Sequence, residues 1–301
     1  MTKRLVIEMA ADKTKAEVNC QPSSTENDLS DKIQTVFEVL DRKKKLAALT
    51  KLKEALISLD SKNSISTDVG KNSTIFGFDT NAVIKIGNQG RNKRDDIIDF
   101  IKTLNKDNVI IPGQVVQETW NVITRNYKDS KIGEIKTMQK NDVESIRKLL
   151  GDVKGDRAFD LLKELREIYE EYQPQYDSGG LRSLISTISS LEAVAICPFV
   201  PRALFLQLAE VRQKTNTPPG FRDQGDNHGD YFVWADFLLG VCMLNKQTIT
   251  NIVLVTDDTK SDWSTRSVTH PMLSAEIEAL SGKKFQLWGL QDFSRYVQLN
   301  I

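Results

Sequence analysis

The stretch Ile75-Phe76-Gly77-Phe78-Asp79-Thr80-Asn81 is an apolar run of strand length that ends on an acid and then on residues suited to a helix start. The same texture returns at residues 109–111, at 252–255 running into Thr256-Asp257-Asp258, and at 285–288, with helical segments between. Such alternation predicts an α/β protein built on a central, mainly parallel sheet. In that architecture the loops at the carboxyl ends of the strands gather where strand order reverses, and sites form there. Asp79 and Asp258 both stand just past such strands.

Two more acids sit where an apolar run meets a polar break: Glu118 in Val-Val-Gln-Glu-Thr-Trp-Asn and Asp230 in Gly-Asp-Tyr-Phe-Val-Trp. Each has an ordinary explanation by itself. Asp79 suits an N-cap, Glu118 an exposed helix face, Asp230 the positive end of a helix, and Asp257 with Asp258 an Asx turn. Together they point to a divalent-metal site. Carboxylates about 4 Å apart repel by several kcal/mol at an intermediate effective dielectric, so a gathered cluster stays ionised only when a cation shares it.

Composition sets wide bounds. The chain has 301 residues, 40% of them apolar, enough for a packed core. Its 41 Lys and Arg balance 41 Asp and Glu, so no global positive field draws in nucleic acid, and local patches with bound metal would have to hold a polyanion. Cys20, Cys197 and Cys242 are far apart and lack the paired spacing of zinc or redox motifs, which leads us to expect a reducing cytoplasm. The N-terminal apolar stretch is too short for a signal peptide, and no run approaches the roughly 20 residues that span a bilayer, so no membrane association is expected.

The expected organisation is an N-terminal helical extension and linker over residues 1–73 followed by one α/β domain over 74–301, with a helical insertion at about 131–215. In the extension, Ile33, Val36, Phe37, Leu40, Leu46, Leu49, Leu52 and Leu56 make residues 31–59 an amphipathic rod or helical pair, able to bind a protein partner or self-associate. Residues 60–73 read as a linker. In the insertion, Leu161, Leu162 and Leu165 form an apolar face, and the segment is either a structural bracket or a lid.

After residue 113, Val116, Trp120, Ile123 and Tyr127 are expected to form the buried stripe of a helix, leaving Glu118, Asn121 and Arg125 on another face. Thr80, Asn81 and Thr256 are short polar residues able to orient a carboxylate or a water. Arg91, Lys93 and Arg94, read as a loop, and Lys260, with Arg266 near the last acids, are the candidate phosphate contacts. Trp120, Trp234 and Trp288 are expected in the core, whereas Trp263 is the tryptophan placed to meet a base. His228 reads as a loop residue with a lesser claim to position substrate.

In order along the chain stand Phe78-Asp-Thr-Asn81, Pro218-Pro-Gly-Phe-Arg-Asp223, Gly229-Asp-Tyr-Phe-Val-Trp234, Val255-Thr-Asp-Asp258 and Asp262-Trp263. With these motifs the sequence resembles the PIN-like nuclease domains over about 74–299. The resemblance implies a Rossmann-like PIN fold and an acidic pocket holding Mg2+ or Mn2+ for phosphodiester hydrolysis. It makes Asp79, Glu118, Asp230 and Asp258 the catalytic, metal-binding acids, with Asp257 as a further ligand and Asp262 in support, and single-stranded RNA the expected substrate of an endoribonuclease. A toxin, a defence effector and an RNA-processing enzyme would share these features. The rival reading is a non-catalytic or regulatory module that binds nucleic acid or a partner. A phosphohydrolase of the haloacid-dehalogenase type fits poorly, because Asn81 stands where that chemistry needs a second acid.

Overall fold

The computed structural model describes residues 24–61, 69–105, 108–126, 144–145, 147–171, 178–223, 228–258 and 260–300. The helices α1 (Ser24–Leu40) and α2 (Ala48–Ser61) precede β1 (Thr74–Phe78), α3 (Thr80–Asn88) and α4 (Arg91–Lys102). Next come β2 (Val109–Ile110), α5 (Gly113–Asn126), α6 (Asp152–Glu171), α7 (Ser178–Val194), β3 (Ala195–Ile196), α8 (Arg202–Lys214) and α9 (Gly229–Leu244). The chain closes with β4 (Asn251–Val255), a small hairpin of β5 (Ser264–Thr265) and β6 (Val268–Thr269), α10 (Pro271–Ser281), β7 (Lys284–Trp288) and α11 (Leu290–Asn300).

The sheet runs β3-β2-β1-β4-β7, and every pairing in it is parallel. Order reverses between β1 and β4, the switch point at which α/β proteins place their sites. Register then sets the height of the residues that follow. Phe78 pairs with Val255 and Val255 with Trp288, so Asp79, Thr256 and Gly289 leave the sheet at one level. The ladder reaches slightly beyond the strands, with the Asp79 N–H donating to Val255 O at 3.0 Å and the Thr256 N–H to Trp288 O at 2.9 Å.

Side chains alternate across the sheet because the strand period is two. On one face Phe76 and Phe78 pack with α3, α4, α7 and α11 through Ile86, Phe100, Leu184 and Phe293. On the other, Ile75 and Leu254 pack with α9, where Trp234, Phe237 and Leu238 lie. The helix α9 is apolar nearly all round and buried along most of its length, as a helix held between the sheet and further helices must be. It comes very close to β1. A Cβ on Gly77 would fall 2.3 Å from the Phe237 ring, and one on Gly240 would fall 2.7 Å from Ile110.

Residues 24–61 form two helices that pack on later helices of the chain. Arg42, at φ +59°, lies in the turn after α1, and Val36, Val39 and Leu40 are buried, Val36 and Leu40 in the same cluster as α9. Ile33 and Phe37 pack partly buried against that cluster, whereas Leu49, Leu52 and Leu56 of α2 are exposed. Within the range read as an insertion, α6 exposes Leu161 while α7 packs on α3 and α4, and β3 adds a strand to the central sheet. Residues 127–143, with Tyr127 of the expected stripe, and residues 62–68 of the 60–73 linker lie outside the described residues.

The tight Gly77–Phe237 contact yields the first expectation. Gly77→Ala should lower unfolding stability by about 1–3 kcal/mol through overpacking, with an unchanged denaturant slope, as measured by urea unfolding. A loss under about 0.3 kcal/mol would show that α9 moves aside freely.

Candidate active site

Asp79 caps α3, with Oδ1 accepting the Thr80 N–H at 2.6 Å, while Oδ2 accepts the Thr256 hydroxyl at 2.7 Å. The Thr80 hydroxyl donates to Glu118 Oε2 at 2.7 Å, and Gln114 Nε2 donates to Glu118 Oε1 at 3.1 Å. Glu118 is thereby turned from the helix surface toward β1. The helical stripe differs from the sequence expectation by one position. Val115 and Thr119 are buried, whereas Val116 and Trp120 are exposed, Trp120 by 68%. Trp120 is therefore no core residue; the adjacent Val115 and Val116 offer two stripes, and the Thr80 hydroxyl bonds the one that includes Glu118.

A second group of acids is gathered by Lys260. Its ammonium lies 2.6 Å from Asp230 Oδ2, 2.8 Å from Asp223 Oδ1 and 3.3 Å from Asp258 Oδ2. The Lys260 N–H also donates to Asp258 Oδ1 at 2.8 Å, and the Asp258 N–H donates to the Thr256 hydroxyl at 3.0 Å. Asp230, at the start of α9, also accepts from Trp263 Nε1 at 3.2 Å. Trp263 is only 1% exposed, so it orients an acid and is not available to meet a base.

Asp223 is the acid that sequence reasoning passed over. It accepts the Asp230 N–H at 3.3 Å as well as the Lys260 ammonium. Its signal was present, since it ends the Pro-Pro-Gly-Phe-Arg-Asp motif. Asp262 supports it from behind: Oδ2 accepts the Gly220 and Arg222 N–H groups at 3.0 and 3.4 Å, holding the turn that carries Asp223.

Two buried ion pairs stand further back. Asp236, fully buried in α9, takes both guanidinium nitrogens of Arg202 and the N–H groups of Val200 and Gln114, all at 2.8 to 2.9 Å. It thus fixes the first turn of α5, from which Gln114 reaches Glu118. Glu276, fully buried in α10, pairs with Arg212 at 2.8 Å and Arg42 at 2.9 Å and accepts from Trp234 Nε1 at 2.7 Å. Arg212 also donates to Pro218 O, anchoring the same turn that Asp262 holds.

The remaining candidates lie elsewhere. Asp257 has partners of its own, 2.5 Å from the Lys85 ammonium and accepting the Leu290 N–H at the start of α11 at 3.2 Å, and lines a cavity together with Asp258. Arg91, Lys93 and Arg94 lie in the first turn of α4 instead of a loop, beyond the nine-residue α3, which is itself about 13 Å long. Arg94 bonds Asp95 and Ser183, and Arg91 pairs with Asp95. Asn81 and Asn121 are exposed, His228 is half-buried before α9, and Trp234 and Trp288 are in the core. Beside Asp258 a cavity of about 320 Å3 opens, lined among others by Thr256, Arg266, Trp288 and Gly289.

The electrostatics show how tightly the acids are set. Burial, opposed by the Thr256 hydrogen bond and reinforced by Glu118 and Asp258, pushes Asp79 up to about 6. Burial and Asp223 push Asp230 up as well, against the pull of Lys260. Burial depresses Lys260, but its bonds to Asp223 and Asp230 outweigh it and raise the ammonium above its ordinary value. Among the described residues no three His, Cys, Asp or Glu side chains form a ready coordination shell. The oxygen donors nevertheless fit a hard divalent cation, and the raised carboxyls are short of positive charge.

Because Asp79 binds its proton more tightly folded than unfolded, that proton favours the native state below about pH 4, and the benefit disappears as pH rises to about 6. Metal-free protein in EDTA should therefore lose on the order of 3 kcal/mol across that window from this group. Asp79→Asn should flatten the slope in thermal melts from pH 4 to 6.5. An unchanged slope would refute the assignment.

No curated protein and no solved structure matches the chain. The sequence profile described as a PIN like domain matches residues 75–276, from β1 through most of α10. That span contains β1 to β4, the reversal of strand order and all five clustered acids. With more than half of its residues matched, the chain belongs to the PIN-like domain family.

Proposed function

We propose that the chain is a metal-dependent nuclease that hydrolyses phosphodiester bonds, acting as an endoribonuclease on single-stranded RNA. The observation that carries the reading is the buried Asp79 at the sheet's switch point, within electrostatic reach of Glu118, Asp230 and Asp258. Membership of a family generally made of nucleases supports it. RNA and endonucleolytic action follow from the family's usual substrates.

Asp79, Glu118, Asp230 and Asp258 would hold Mg2+ or Mn2+, with Asp223 as the added candidate. Such an ion, when bound, lowers the pKa of water and stabilises charge on phosphate oxygens. The protein's part is to fix the donors. Thr80 and Thr256 leave the Asp79 oxygens little freedom, Thr80 and Gln114 aim Glu118, and Trp263 aims Asp230. Lys260 and Arg266 are the basic groups beside the acids; Arg91, Lys93 and Arg94 would meet only a more distant part of a strand.

The second reading, a non-catalytic binding module, draws on one observation: Lys260 already neutralises part of the cluster from within. Cleavage decides between them. With labelled single-stranded RNA and DNA and Mn2+, Mg2+ or EDTA, we expect metal-dependent RNA cleavage, reduced at least about 100-fold by Asp79→Asn or Asp230→Asn with the fold intact. Full activity in either variant, or none in the wild type with any metal, would overturn the nuclease reading.

Two further variants test the geometry in the same assay. Thr256→Val should cost about 10- to 100-fold, since it removes the hydroxyl that orients Asp79. Asp257→Asn should stay within about threefold of wild type, because its carboxylate serves Lys85 and α11. A loss with Asp257→Asn as deep as that with Asp79→Asn would return Asp257 to the metal-binding set.

A further inference from the structure

The acids divide into two halves of unlike charge balance. Among the described residues, Asp79 and Glu118 accept from neutral donors: the Thr80 N–H and hydroxyl, the Thr256 hydroxyl and the Gln114 amide. Among the described residues, no Lys or Arg nitrogen lies within ion-pair distance of either. Asp223, Asp230 and Asp258 converge instead on the Lys260 ammonium, whose three N–H donors equal these carboxylates in number.

We propose that Lys260 is the built-in second cation of the centre, pairing with the Asp223–Asp230–Asp258 side so that the acids named above share a single divalent ion, seated toward Asp79 and Glu118. This rests on the nuclease reading and deepens it. An ammonium about 3 Å from three carboxylates stands where a second metal ion would have to stand. The two cannot share the place, because like charges at that separation repel strongly in a partly buried site.

The attachment of Lys260 argues that its position is built in. It follows Asp258 by two residues, and its own N–H closes the turn onto Asp258 Oδ1 at 2.8 Å. The side chain is 37% exposed while Asp223 and Asp258 are 4% and 10% exposed, so the ammonium also faces the approach to the cluster. Its charge, though not a spare N–H, thus acts on a phosphate that approaches the cluster, supplying at fixed position the positive charge that a two-metal centre takes from solution.

The experiment counts bound ions and needs no turnover. Metal-free wild type, Lys260→Arg and Lys260→Met are titrated with Mn2+ at pH 7.5, reading free Mn2+ by electron paramagnetic resonance and heat by calorimetry. We expect one ion in wild type and Lys260→Arg, and two in Lys260→Met. Two ions in wild type, or one in a folded Lys260→Met, would overturn the proposal. Should Lys260→Met unfold in EDTA, refolding with two bound Mn2+, followed by circular dichroism, supports it, and failure to refold at millimolar Mn2+ counts against it. Two ions in an active wild type would sink this inference alone. One ion in a wild type that cleaves nothing would sink the nuclease reading alone, and no bound ion would sink both.

Discussion

The parallel, in-register ladder between β1 and β4 is the constraint on which the centre depends. Neighbouring strands bring Phe78 and Val255 to the same height, and the residues that follow inherit that alignment. Asp79 and Thr256 therefore meet across 2.7 Å although 177 positions separate them. Parallel strands require crossover connections, so the chain between these residues is free to hold the helices that add Glu118, Asp223 and Asp230. The sheet supplies the fixed edge of the site, and the helices bring acids to it from the side.

Crowding carboxylates this way is unfavourable by itself, and the surrounding protein is organised to hold them in place. Asp236 with Arg202 sets the start of α5, and Glu276 with Arg212 and Arg42 sets the turn leading to Asp223. Buried pairs of this kind contribute little net stability, since desolvation offsets their attraction. Their effect is geometric. A fully bonded carboxylate has few alternative arrangements, so the helices attached to it are held to narrow tolerances.

Much of this was legible in the sequence because the informative residues are punctuation. Asp79 and Asp258 end apolar runs, and a strand end in an alternating α/β pattern predicts both sheet and site. Glu118 and Asp230 were legible as acids in the right order, but not as to where they would point. The misplaced stripe on α5 shows why: Val115 and Val116 are both apolar, and partners on other elements, the Thr80 hydroxyl at Glu118 and Asp236 at the Gln114 N–H, fix which side turns inward. Asp223 was obscured for a related reason. Its position depends on an irregular turn held by Asp262 and Arg212, neither of which has a periodic signature. Lys260 looked like one more basic residue near the acids, and its role as their shared partner comes from loops separated by 37 and 30 residues. β3, two residues long and directly following a helix, had too little sequence to announce itself.

The turn after α1 joins these themes at a distance from the acids. Arg42 reaches into the protein to pair with Glu276, while Val36 and Leu40 lie in the cluster that surrounds α9. The family match begins only at residue 75, yet the packed core extends back to α1. Evolutionary boundary and physical boundary therefore differ here. The segment after the first helix thus supplies a cation to the carboxylate behind the Pro218 turn, and so is tied to the acidic edge through Glu276 and Arg212 without touching it.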